Sequence, residues 1–317
     1  DQYDVDGDTL GDACDTAITK TYAGFMSAYK TDDDGAAVTS ISYTGQTARQ
    51  LLILGLVDEM TSLTEDATVD AAANMNAWIN GSDALVHGFD VSGGETVIPG
   101  PTIGDISTGK NLTEKIAGGS DAIAQALGAG SGETSLLLDE NGARKPETGG
   151  EFFGWSELAA GGTPLDLVRH FITKLDTEAT DGTDILVPTT ADANAALAIT
   201  AYQGDAHGRD YRQLIQKFLL GAVTLSQAAN DYLHHNWESD TAFTQEKGTK
   251  AYGEAEHDWD EAFGYYGAAR NNGDFTDNEA AGKSGRDGWS GGYNDANADG
   301  SIDVRSEFNL GLSLIHI

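Results

Sequence analysis

Apolar residues recur along most of the chain with a period near 3.6, the spacing that gathers them on one side of a helix. Thr47 to Leu63 carries them at Leu51, Leu52, Leu54, Leu56, Val57 and Met60, after a Tyr43-Thr44-Gly45 turn. Asp66 to Ile79 repeats the pattern more weakly through alanines, Met75 and Trp78, and Gly81 ends it. Residues 88–109 keep no period and are rich in glycine and proline, so a long loop is expected there. Asn111 to Leu127 predicts a helix broken at Gly118-Gly119, and 128–150 a second glycine-rich loop. Pro164 opens a further helix with Thr163 as N-cap, and Leu165, Val168, Phe171, Ile172 and Leu175 form its stripe. Ala191 to Tyr202, rich in alanine, is expected to be helical. The longest predicted helix runs from Arg209 to Trp237. There Tyr211, Leu214, Ile215, Phe218, Ala222, Leu225, Ala229 and Tyr232 hold one face for about seven turns. β-branched alternation is confined to a short strand within Ala37 to Tyr43. The fold class expected is all-α, a helical bundle with long glycine-rich loops.

One predicted helix concentrates chemistry. Glu254 to Gly267 sets His257 among five carboxylates and follows it with four aromatic residues. On a helical wheel Trp259, Ala262, Phe263 and Tyr266 fall on a packing side, expected to lie on the Arg209–Trp237 helix. Glu254, His257, Asp258, Glu261 and Tyr265 fall on the other. Glu254 and Glu261 stand three and four residues from His257, within reach of its imidazole. Glu-x-x-His is the spacing of carboxylate di-metal bundles, and Asp231-Tyr232-Leu233-His234 is a loose second copy. The competing reading is a solvated acidic face backed by ordinary core aromatics. His87, His170 and His207 read as structural. No H-E-x-x-H, nucleophilic cysteine or phosphate loop is present.

Charge narrows the partners. The chain has 317 residues, long enough for one large domain or two smaller ones, and 39% of them are apolar, above the level of a disordered chain. Its 51 acidic residues outweigh 18 basic ones, a net charge of −33. That charge excludes nucleic acid and anionic membrane surfaces as partners and favours cations. Salt-adapted secreted proteins reach similar charge for solubility alone. No run of 18 apolar residues exists to span a membrane. No initiator Met or secretory leader opens the chain, and both ends read as truncated.

Two Asp-rich segments have the alternation that Ca²⁺ coordination requires, with glycine at the tight turn. Asp295-Ala296-Asn297-Ala298-Asp299-Gly300-Ser301-Ile302-Asp303 follows the Ca²⁺-loop pattern D-x-[DN]-x-[DN]-G-x-I. Its twelfth position is Ser306 where Glu is wanted, and Glu307 comes one residue late; a plain Asx-rich turn is the alternative. The other segment, Asp1 to Asp15, resembles the second half of a thrombospondin type 3 repeat. That resemblance implies Ca²⁺ ligation by Asp4, Asp6, Asp8, Asp12 and the Leu10 carbonyl. It also implies that Cys14 is one half of a disulfide whose partner lay upstream, and hence an oxidising compartment. Leu312 to Ile317 reads as a translated sequencing adapter, leaving residues 16–290 as the helical domain and 291–311 as an EF-hand-like loop.

Several stretches together resemble a bacterial lipoprotein family, domain of unknown function 4856. They are Tyr43–Arg49, Gly109–Gly118, Glu151–Trp155, Gln213–Ala222 and, most closely, Glu256–Gly267, over about residues 20–311. That family is similar to imelysin-like, iron-regulated surface proteins, which are helical. Their G-x-H-x-x-E motif is matched only in part, since Ala255 stands for the glycine and Asp260 for the glutamate. The resemblance implies a helical surface protein connected with iron.

The function expected is cation or iron-related binding without catalysis, at the cell surface, in the periplasm or outside the cell. Ca²⁺ is expected at Asp295, Asn297, Asp299, Ser301 and Asp303 and in the N-terminal repeat. Fe or Zn is expected at Glu254, His257, Asp260 and Glu261. The alternatives are a carboxylate–histidine di-metal oxidative enzyme and a Ca²⁺-dependent adhesion protein with cell-surface partner proteins.

Overall fold

A computed structural model describes residues 26–31, 35–63, 70–89, 91, 96–116, 158, 164–181, 185–189, 192–199, 205, 208–233 and 250–310. The repeat-like N-terminus, residues 117–150, Thr163, His207, His234 and residues 311–317 lie outside them, as does Glu151–Trp155. The described residues are mainly helical, as the periodicity predicts, with three two-stranded sheets added. They divide into two compact units. The first comprises Asp1–Thr47, Gly88–Pro101 and Tyr232–Ile317, and the second Ala48–His87 and Thr102–Asp231.

The second unit is mainly helical. α1 (Thr44–Thr61) buries Leu51, Leu52, Ile53, Leu56 and Met60, while α2 (Ala71–Asn80) buries Met75, Trp78 and Ile79. The Trp78 ring lies over α1 at Gly55, where a Cβ would fall 2.2 Å from it. Asp70 caps α2 by accepting from Ala73 N at 2.8 Å, and Gly81 closes it with φ +72°. α3 (Ile103–Ile106) is a single turn capped by Thr102, inside the stretch expected to be loop.

Two helices and a π-helical segment later in the chain complete this unit's helical core. α4 (Pro164–Asp181) begins at the proline the sequence marks and packs against α2, where Asp176 Oδ1 accepts from Ala72 N at 3.0 Å. It also packs on α5 (Tyr211–Leu219), with Phe171 and Tyr211 rings 5.5 Å apart. The predicted long helix continues past α5 as a π-helical segment, Leu220–Tyr232, so its period changes within the chain. The expected helix at Ala191–Tyr202 is not formed. Strand β5 (Asp192–Ile199) stands there instead, antiparallel to β4 (Ile185–Thr189). Pairing with the β-branched run in β4 overrides the helix preference of isolated alanines.

In the first unit β1 (Met26–Thr31) and β2 (Ala37–Thr39) form an antiparallel pair at the predicted strand. β3 (Thr96–Ile98) pairs in parallel with β6 (Ser301–Asp303), joining Thr96 to Ser301, Val97 to Ile302 and Ile98 to Asp303. α6 (Glu254–Tyr266) ends at Gly267 in the left-handed conformation, φ +63°. α7 (Asp277–Ala280) is a short helix closed by a Thr276–Glu279 capping box.

Candidate cation sites on an acidic loop and an acidic helix

The Asp295–Glu307 loop turns tightly because Ala298 (φ +57°) and Gly300 (φ +81°) take left-handed backbone. Its side chains fold inward onto its own amides. Asp295 Oδ1 accepts from Asp299 N at 3.1 Å and Oδ2 from Gly300 N at 2.8 Å. Asn297 Oδ1 accepts from Asp299 N at 3.1 Å, and Asp299 Oδ1 from Ser301 N at 2.8 Å. Ile302, fully buried, anchors the loop, and β6 fastens it to β3. Asp303 turns away to Arg305, whose Nε donates to Oδ1 at 2.9 Å, and takes Ser306 Oγ at 3.2 Å on Oδ2.

Glu307 closes the loop from the thirteenth position. Its carboxylate reaches back to accept from Ala296 N at 3.1 Å and Asp303 N at 3.0 Å, and the residue is 1% exposed. Burial pushes its pKa up, opposed by these backbone donors and reinforced by Asp295. Ser306 at the twelfth position is itself buried and bonded to Asp303. The sequence marked Glu307 only as one residue late; its carboxylate closes the loop through the Ala296 and Asp303 amides.

α6 does not present the two faces of its helical wheel. Tyr265, expected on the acidic face, and Asp260, expected as a metal ligand, are buried, while Trp259, expected to pack, is 55% exposed. The reason lies in the partners of the inward polar groups. Ser42 N donates to Asp260 Oδ2 at 3.0 Å, and Gln46 Nε2 donates to Glu261 Oε1 at 2.6 Å. Bonded carboxylates can be buried, so apolar period alone misreads the packed side. Gly264 lets residues 43–46 come close, since a Cβ there would stand 2.7 Å from Gln46 Cβ.

Of the four residues expected to hold a metal on α6, the fold brings two together. His257 Nε2 lies 3.5 Å from Glu261 Oε2, and its ring stacks on Tyr252 at 4.4 Å and 8°. Asp260 is taken by Ser42, and Glu254 is exposed. Asp231 and His234, the second half of the di-metal motif, cannot be placed beside them: the Asp231 side chain and all of His234 lie outside the described residues. Among the described residues, no three His, Cys, Asp or Glu side chains form a group able to hold a metal ion. Tyr265 stacks on Tyr232 with centroids 5.9 Å apart. Elsewhere His87 is buried with its pKa lowered by desolvation, partly offset by Asp58, whose Oδ2 is 3.6 Å from Nδ1.

Comparison with known families bears on the helix more than on the loop. Residues 167–281 match the family model described as Domain of unknown function (DUF4856). The DUF4856 match covers about a third of the chain, from α4 through α7. Gln213–Ala222 and Glu256–Gly267 fall inside it, and the Asp295–Glu307 loop falls outside it. No curated protein and no solved structure matches the chain. No helix among the described residues is long and apolar enough to cross a membrane.

Proposed function

We propose that this is an extracytoplasmic, helical binding protein that takes Ca²⁺ at the Asp295–Glu307 loop and performs no catalysis. The observation that carries this reading is Glu307, a carboxylate withdrawn from water that accepts from the Ala296 and Asp303 amides, in a loop whose Asp295 and Asp299 carboxylates are likewise held on loop amides. A carboxylate so placed is costly to ionise, and a divalent cation beside it offsets that cost. Every candidate donor is a hard oxygen, from Asp295, Asn297, Asp299, the Ser301 carbonyl or Glu307, which suits Ca²⁺ rather than Zn²⁺. Asp303 is drawn off by Arg305 and is the weakest of the expected ligands.

The N-terminal Asp4–Asp12 segment adds a second Ca²⁺ site by its resemblance to the thrombospondin type 3 repeat. The resemblance over residues 20–311, and through it to imelysin-like surface proteins, is the ground for placing the protein outside the cytoplasm. An iron-related role rests on that resemblance and on the approach of His257 to Glu261.

Calorimetric titration of the chelator-treated chain with Ca²⁺ tests the proposal against the Asp295→Ala/Asp299→Ala double variant. The variant is expected to lose one class of binding site. Identical isotherms for the two proteins would put Ca²⁺ elsewhere and end this reading of the loop.

A further inference from the structure

The loop and α6 share one buried anchor, Tyr43. Its hydroxyl donates to the Arg305 carbonyl, inside the loop, at 2.6 Å. Its ring meets Phe263 edge-on at 5.6 Å, and its Cβ lies 2.9 Å from where a Cβ on Gly264 would stand. The residue is 5% exposed. Burial, and then the negative charge of Asp303, push the phenol pKa up, so the hydroxyl stays a donor.

Residues beside Tyr43 grip α6 as well: Ser42 and Gln46 hold Asp260 and Glu261. Within the loop Arg305, whose carbonyl takes the Tyr43 hydroxyl, is fastened to Asp303, whose amide holds Glu307. If α6 leaves, Tyr43 loses its ring contact and the phenol loses the packing that excludes water. If the loop leaves, the buried hydroxyl loses its bond to the Arg305 carbonyl, a loss comparable to breaking any buried hydrogen bond. Each opening therefore makes the other easier, the physical condition for a cooperative unit.

We propose that the Asp295–Glu307 loop and α6 open and close as one unit through Tyr43, so that a cation held by the loop also protects α6. The proposal rests on Ca²⁺ binding at that loop. A ligand that binds only the closed form lowers the open population by the factor 1 + [ligand]/Kd, and the whole cooperative unit inherits it.

Hydrogen–deuterium exchange on the intact chain tests this, with Ca²⁺ at ten times its Kd and with chelator. Exchange is expected to slow about tenfold in both 295–307 and 254–266, and not in α2. In Tyr43→Phe the loop keeps its protection by Ca²⁺ and α6 loses it. A loop that slows while wild-type α6 does not overturns the coupling and leaves Ca²⁺ binding standing. A loop that does not slow removes the Ca²⁺ reading itself. Equal slowing of α2, or undiminished protection of α6 in Tyr43→Phe, also overturns the coupling. The wild-type comparison decides the matter alone if the variant does not fold.

Discussion

An added methyl group at Gly264 has nowhere to go. It would meet Gln46 Cβ at 2.7 Å and Tyr43 Cβ at 2.9 Å, both close to the backbone of their own residues and unable to swing aside. Gly264→Ala is therefore expected to destabilise by about 1–3 kcal/mol, the usual cost of overpacking, read from the urea midpoint. A midpoint equal to wild type would mean that α6 and residues 43–46 are not packed this closely. Glu279 makes a different argument, about charge. Its carboxylate accepts from Arg286 Nε at 2.8 Å and Nη2 at 2.9 Å, and from the amides of Thr276 and Arg286. The Arg286 guanidinium first, and those amides after it, hold its pKa well below the ordinary 4.5. A depressed folded pKa contributes stability that is present above the ordinary value and is lost as pH falls through the folded one. Glu279→Gln is expected to lower stability at neutral pH and to flatten the acid limb, the two proteins converging in strong acid. Parallel stability–pH curves would refute it.

At the scale of elements, what is local in the sequence is what it discloses. Pro164 starts α4, Gly81 stops α2, and the Asx turns of Asp295, Asn297 and Asp299 form where the D-x-N-x-D-G spacing puts them. Each depends on residues within a few positions of one another. What the pattern misses depends on partners outside the element itself. β5 becomes a strand because β4, its neighbour in the chain, pairs with it, and Glu307 serves the loop because its carboxylate reaches the Ala296 and Asp303 amides. The expected single helix at Arg209–Trp237 divides at Leu220, where the Thr224 hydroxyl takes the Leu220 carbonyl that a regular helix would reserve for an amide. Gly221 stands at that division, exposed, with no atom within 4 Å of an added Cβ and without a left-handed φ. Gly221→Ala should stabilise by about 0.5–1 kcal/mol, mainly by restricting the unfolded chain. A thermal melt checks it, and a lower midpoint would show that the junction needs glycine for its backbone.

The net charge of −33 acts on the whole chain and separates general screening from specific binding. Like charges repel in the compact state and are relieved when the chain expands, so the acidic excess opposes folding. Sodium chloride weakens that repulsion without occupying a site, since the screening length shrinks from about 10 Å at 0.1 M to about 3 Å at 1 M. The melting temperature in chelator is therefore expected to rise steadily across that range. Calcium at millimolar concentration adds almost nothing to ionic strength, and its effect comes from mass action at a site. At a hundred times its Kd it would contribute about 2.7 kcal/mol to any unit that must unfold to release it. Wild type should thus show a Ca²⁺ step over and above the salt slope, worth several degrees. Asp295→Ala/Asp299→Ala should keep the slope and lose the part of the step that belongs to the loop. If 1 mM Ca²⁺ raises the melting temperature no more than sodium chloride of equal ionic strength, the acidity serves solubility and the Asp295–Glu307 turn is held by its own amides alone.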